Sequence, residues 1–171
     1  MSAGKIYGVG LGPGDPDLMG VRADRLLRNA RHVAFFRKPG RSGQARQIVN
    51  GMIPEGAVEF PMEYPVTTEI PLNDPRYNEL LAAGYEDCAQ HLKALAEKGE
   101  DVVVLCEGDP FFYGSFMHLY TRLRDIAPVE VVPAITGMSG AWTATGDPIT
   151  WGDVIQTVLA ATLPEEVLAE R

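Results

Sequence analysis

Leu105-Cys106-Glu107-Gly108-Asp109-Pro110-Phe111-Phe112-Tyr113-Gly114-Ser115-Phe116 decides how the rest of the chain is read. Ahead of it runs Asp101-Val102-Val103-Val104-Leu105, a β-branched apolar run of the kind buried on both faces of a parallel sheet. Behind it, residues 116–123 read as a helix. Glu107–Ser115 is therefore expected to be a strand-to-helix loop at the carboxyl end of a central parallel strand. Open α/β sheets bind their ligands at that edge. Gly108 and Gly114 permit positive φ, Pro110 locks its own φ, and two acids and three aromatics crowd one tip. An ordinary turn with hydrophobic cover does not require that combination, whereas a binding loop does.

Working outward, the first strand is read over 5–11, Lys5-Ile6-Tyr7-Gly8-Val9-Gly10-Leu11, and it enters Gly12-Pro13-Gly14-Asp15-Pro16-Asp17-Leu18 directly. Glycines at 8, 10, 12 and 14 allow backbone to approach something closely. The dinucleotide fingerprint fails, because Pro13 and Asp15 stand where its third glycine is needed. A phosphate loop fails as well, since no Gly-Lys-Ser/Thr follows. Asp15 and Asp17 would repel a pyrophosphate at a helix N-terminus; they suit N-capping and a neutral or cationic ligand.

A helix is expected over 18–30, with Leu18, Val21, Leu26, Leu27 and Ala30 available for burial. His32–Phe36 reads as strand two and ends at Arg37-Lys38-Pro39-Gly40-Arg41, again at the carboxyl edge. A short helix over 44–49 and a third strand over 58–62 follow, then irregular chain over 63–76. In the long helix 77–98, Tyr77, Leu81, Tyr85, Cys88, Leu92 and Leu95 step by three and four along a core-facing stripe. Strand five is Val129–Val132, opening into the small-residue loop 133–140, with a short helix around Ala141 and Trp142. Gly146–Gly152 reads as a linker, Asp153–Leu159 as a new strand and Pro164–Ala169 as a helix start. The fold class is α/β, a five-stranded doubly wound parallel sheet, with three special loops (12–17, 107–115 and 133–140) converging on one edge.

The chain has 171 residues and a net charge of −8, which argues against a nucleic-acid binder held by phosphate contacts. Eight of the fifteen basic residues nevertheless fall between Arg22 and Arg46. Arg22 to Arg31 reads as a solvated helix face. Cys88 and Cys106 lack any metal or CxxC spacing and read as reduced thiols of a cytoplasmic protein. His32, His91 and His118 stand apart from them, so no metal site is expected. No apolar run reaches membrane-spanning length, and Met-Ser-Ala-Gly-Lys holds no signal-peptide core.

Three stretches carry a resemblance: residues 8–16 (GVGLGPGDP), 107–115 (EGDPFFYGS) and 131–136 (VVPAIT). In order and spacing they resemble the tetrapyrrole methylases, the class III S-adenosylmethionine-dependent methyltransferases. Phe60-Pro61-Met62 with Tyr64-Pro65-Val66-Thr67, and the block 105–119, resemble the branch that methylates C-20 of precorrin-2 in cobalamin biosynthesis. The resemblance implies a two-domain fold with S-adenosyl-L-methionine in the cleft between domains. It divides the chain into an N-terminal methylase domain (1–146), a linker (147–152) and the first strand and helix start of an incomplete, truncated second α/β domain (153–171). It places cofactor contacts at Pro13, Gly108, Asp109, Phe112, Tyr113, Thr136 and Gly137. Ala134 and Gly137 stand where relatives often carry Gly and Ser or Thr. A homodimer is implied as well.

Methylation of a meso carbon needs alignment and exclusion of water more than a nucleophilic side chain. Glu107, Asp15 and Tyr113 are candidate acceptors of the proton that must leave C-20, unranked by sequence. Asp109 caps the loop or favours a cationic cofactor. Precorrin-2 carries several carboxylates, so Arg37, Lys38 and Arg41 are expected to pair with them, with Gly14 and Asp15 also on the substrate side. The alternatives are another precorrin or cobalt-precorrin methyltransferase, or a non-catalytic fragment that binds cofactor and tetrapyrrole.

Overall fold

The computed structural model describes residues 2–67, 69–71, 73–160 and 162–170. Among these, five strands form one parallel sheet: β1 (Ile6–Gly10), β2 (His32–Arg37), β3 (Val58–Glu63), β4 (Val102–Cys106) and β5 (Val129–Val132). Their spatial order is β3-β2-β4-β1-β5. The helices are α1 (Val21–Arg28), α2 (Gln44–Ile48), α3 (Pro75–Glu97), α4 (Phe116–Leu123), α5 (Gly137–Thr145) and α6 (Glu165–Ala169).

The alternation of strand side chains explains the double winding. Val102, Val104 and Cys106 face α3 and α4, joining Ile6, Ala34, Leu92, Phe116 and Leu119 in one core. Val103 and Leu105 face the other way, with Val9, Leu11, Leu27, Val33 and Val49 against α1 and α2. Every residue of β4 is buried. Each such Val or Leu contributes about 1.5–3 kcal/mol relative to exposure, so β4 anchors both layers.

β1 and β4 are neighbours, yet the chain leaves β1 toward β2 and leaves β4 toward β5. Their connections diverge in opposite directions, which opens a crevice at their carboxyl ends. The organising loop follows β4 there, as expected from sequence.

Several expectations are corrected. The helix expected over 18–30 is split: a 3-10 turn covers Pro16–Leu18 and α1 begins only at Val21, after Gly20. Asp15 Oδ1 accepts from the Asp17 N–H at 2.9 Å and closes the tight turn before an α-helix can form. Leu18 and Val21 are consequently exposed, at 45% and 74%, and Ala23 and Leu27 are the buried members of this helix. The long helix starts at Pro75, with Asp74 accepting the Arg76 N–H as its N-cap. Its buried stripe runs through Tyr85, Ala89, Leu92 and Ala96, while Leu81, Cys88 and Leu95 flank it. Asp153–Leu159 forms no strand. A strand exists only where a ladder partner does, and this segment pairs with none of the five strands. Trp151, Val154 and Ile155 are exposed there.

Candidate active site

Three loops meet above the crevice, and each pair is joined by a different physical contact. Gly12 and Gly108 form an antiparallel backbone bridge: the Gly108 N–H donates to the Gly12 carbonyl at 2.8 Å and the Gly12 N–H to the Gly108 carbonyl at 3.4 Å. Both residues have positive φ, +82° and +63°, so side chains at these positions would strain the bridge. Asp109 joins the second loop to the third: Oδ2 accepts from the Ala134 N–H at 2.8 Å and Oδ1 from the Phe111 N–H at 2.9 Å. The first loop meets the third where Pro13 packs on Gly140, leaving no room for a Cβ there.

Two adjoining cavities open at this rim, of about 610 and 750 Å³. They share a wall to which Glu107, Phe112 and Tyr113 contribute, and Gln44 and Gln47 of α2 line both as well. The larger cavity is floored by Gly12, Pro13, Gly14, Gly108 and Gly137. Its ionisable lining among the described residues is Glu107, Asp109 and Tyr113, with no Lys or Arg. The smaller cavity holds Arg37, Lys38 and Arg41, with Glu107 as its carboxylate. Charge is therefore segregated between two chambers that touch.

The smaller cavity has an aromatic back wall. Phe36 stacks on Tyr64 at 5.2 Å, and the Tyr64 hydroxyl shares a 2.7 Å hydrogen bond with Ser115 Oγ. Tyr85 also reaches Ser115 Oγ, at 3.5 Å, and stacks on His118. Burial pushes the Tyr64 phenol up to about 12, although the Ser115 hydrogen bond pulls the other way. Burial also raises the Cys106 thiol well above its ordinary range. The sign for Tyr64 follows directly. Below the unfolded value of 10.0 both states hold the proton, and above it only the folded state does. Stability is thus expected to fall as pH rises from about 10 to about 12, and Tyr64→Phe is expected to flatten that slope in denaturant titrations across the window.

The sequence expectations map onto this geometry as follows. Pro13, Gly108, Asp109, Phe112, Tyr113 and Gly137 line the larger cavity together. Thr136 lies one residue off its wall, and its Oγ1 caps α5 by accepting from the Ser139 N–H at 3.2 Å. Gly14 belongs to this cavity, away from the basic residues. Asp15 lines neither chamber; its carboxylate is held in its own turn. Arg37 is paired with Glu63, Nη2 at 2.7 Å and Nε at 3.0 Å from Oε1, so Lys38 and Arg41 are the cations in this wall with no carboxylate partner among the described residues. Met138, Gln44, Gln47, Tyr64 and Ser115 also line the chambers, beyond the site residues expected from sequence. The three-residue spacing of Gln44 and Gln47 on one short helix was the available signal.

Gly114 has no positive φ; Tyr113 carries it instead, at 55°. A non-glycine side chain there costs about 1–2 kcal/mol, and it sits in the wall between the chambers. Phe112 supports it edge-on at 5.1 Å, while Phe111 turns away onto Tyr120. Tyr113→Gly is expected to raise unfolding free energy by about 1 kcal/mol in urea titrations.

The chain matches the model of the Tetrapyrrole (Corrin/Porphyrin) Methylases over residues 5–171. It is 45% identical over 171 residues to a precorrin-2 C(20)-methyltransferase from Sinorhizobium, covering all of this chain and 70% of that protein. The solved structure of a cobalt precorrin-4 methyltransferase superposes with a TM-score of 0.64 and 27% identity, covering 94% of this chain and 61% of the other. A uroporphyrin-III C-methyltransferase from Thermus thermophilus, solved with S-adenosylhomocysteine, gives 0.54 and 28%, covering 88% and 51%. The chain thus spans about half to seven tenths of the length of these proteins. No helix among the described residues is long and apolar enough to cross a membrane. Likeness over the whole match, and the meeting of three loops that lie far apart in the chain, make this chain a member of the tetrapyrrole methylase family.

Proposed function

We propose that the chain transfers the methyl group of S-adenosyl-L-methionine to the C-20 meso carbon of precorrin-2 in cobalamin biosynthesis. One observation carries this reading: an anionic glycine-floored chamber and a cationic aromatic chamber share the wall formed by Glu107, Phe112 and Tyr113. The cofactor supplies an electrophilic methyl on a cationic sulfur. Its sulfonium suits the larger cavity, where carboxylates stand without cations. Pro13, Gly108, Asp109, Phe112, Tyr113, Thr136 and Gly137 would hold it, through backbone groups that the glycines leave uncovered. The tetrapyrrole suits the smaller cavity, where its carboxylates meet Lys38 and Arg41 and its ring meets Tyr64 and Phe36.

Residues 1–146 are read as the methylase domain, 147–152 as a linker and 153–171 as the opening segment of a second domain. The free thiols Cys88 and Cys106 fit a cytoplasmic protein. The homodimer is read from the family resemblance and is checked by light scattering.

The test is incubation with precorrin-2 and isotopically labelled S-adenosylmethionine, with mass and position of the new methyl read by spectrometry and NMR. Label at C-20 is expected. Label at another carbon would make the chain a different tetrapyrrole methyltransferase, and cofactor binding without turnover would make it a binding module. Lys38→Gln with Arg41→Gln is expected to raise KM for the tetrapyrrole about 10-fold at low salt, shrinking as ionic strength rises. Arg37→Gln is expected to do less, because Glu63 already pairs with it.

A further inference from the structure

We propose that Glu107 takes up the proton that leaves the methylated meso carbon, an inference that rests on the methyl-transfer reading above. Glu107 is the first residue past β4 and stands in the wall common to both chambers. It is exposed, and no hydrogen bond or ion pair to its carboxylate occurs among the described residues. Its lone pairs are therefore open to a substrate.

The other groups at the wall are excluded by chemistry. Both Asp109 oxygens hold backbone N–H groups and tie two loops together. Asp15 is engaged in its own turn and lines neither chamber. The Tyr64 hydroxyl is taken up by Ser115 Oγ at 2.7 Å, and Tyr113 offers a phenol hydroxyl and no carboxylate. Cys106 is buried. Lys38 and Arg41 present hydrogen-bond donors and no acceptor. Glu107 is the carboxylate left where the two ligands meet.

The step balances. C-20 supplies the electron pair of the new carbon–carbon bond, and the methyl–sulfur bond breaks with its pair going to sulfur. C-20 is then tetrahedral and the ring holds one proton in excess. The C-20 hydrogen passes to a Glu107 carboxylate oxygen, its bonding pair returns to the ring conjugation, and water at the open rim removes the proton.

The experiment compares wild type, Glu107→Gln and Glu107→Asp, each given precorrin-2 and S-adenosylmethionine, with calorimetric titration by S-adenosylhomocysteine in parallel. Glu107→Gln is expected to bind S-adenosylhomocysteine within about threefold of wild type and to lose about 100-fold in kcat. Rapid mixing is expected to show one methylated adduct per protein that keeps the C-20 hydrogen, seen as loss of conjugated absorption. Glu107→Asp is expected to recover about 10-fold over the glutamine variant, since a shorter carboxylate still accepts a proton. The proposal is overturned if Glu107→Gln turns over at the wild-type rate. Slow turnover without the adduct also overturns it, as does a fall in S-adenosylhomocysteine affinity that accounts for the lost rate. A wild type that methylates no precorrin-2 removes the parent reading and this step with it, whereas an active wild type beside an equally active glutamine variant removes only the role of Glu107.

Discussion

Gly10→Val is expected to lower unfolding free energy by about 3 kcal/mol and to abolish S-adenosylhomocysteine binding. A Cβ on Gly10 would stand 2.5 Å from Ala134 Cβ and 2.9 Å from both the Gly108 carbonyl oxygen and Pro110 Cδ. Those atoms belong to the two loops that close the larger cavity, and all three (an alanine Cβ, a backbone oxygen and a proline ring carbon) are atoms that no rotamer change can move aside. The clash therefore drives both loops off β1 at once. The bridge between Gly12 and Gly108, two residues further on, is expected to open with them. Urea denaturation reads the stability and calorimetry the binding. Gly20→Ala serves as the control: a Cβ there meets nothing within 4 Å, and alanine at this N-cap position is expected to cost about 1 kcal/mol or less. Equal losses at Gly10 and Gly20 would mean that glycine content in general, and not this contact, sets the effect.

Asp109→Ala has the second large effect, a loss of about 3 kcal/mol from two charge-assisted hydrogen bonds to backbone N–H groups. The two bonds do different work. The one to Phe111 shapes the loop's own turn, and the one to Ala134 spans 25 residues and joins two loops. Asp109→Asn can replace one acceptor and not both, so it is expected to lose about half as much. The partition separates the two roles read for this residue in the sequence. If the carboxylate chiefly attracted a cationic cofactor, Asp109→Asn would keep its stability and lose its preference for S-adenosylmethionine over S-adenosylhomocysteine. The double engagement of its oxygens favours the structural role.

The strand–loop–helix units, the parallel sheet and the loop convergence were legible because they rest on local chemistry. β4 is an uninterrupted apolar run, and only a strand buried on both faces keeps one. Glycines at 8, 10, 12 and 14 announced close backbone approach. What the approach was to, a bridge to Gly108 and a contact with Ala134, lies about a hundred residues away and was invisible to any local pattern. The same holds for Arg37: parallel register sets it opposite Glu63 across β2 and β3, and that pairing left Lys38 and Arg41 as the cations of the chamber without a carboxylate partner. Composition and spacing alone thus determined the architecture and the edge that carries the site, while most of the residues at its rim followed from the family resemblance of the three loop motifs. Tertiary structure decided which of them face which chamber, that Tyr113 and not Gly114 takes the strained turn, and that Glu107 stands on the dividing wall while Asp15 does not. The reason is that propensity acts between near neighbours in the chain, whereas charge pairing and packing act between whatever the fold brings together.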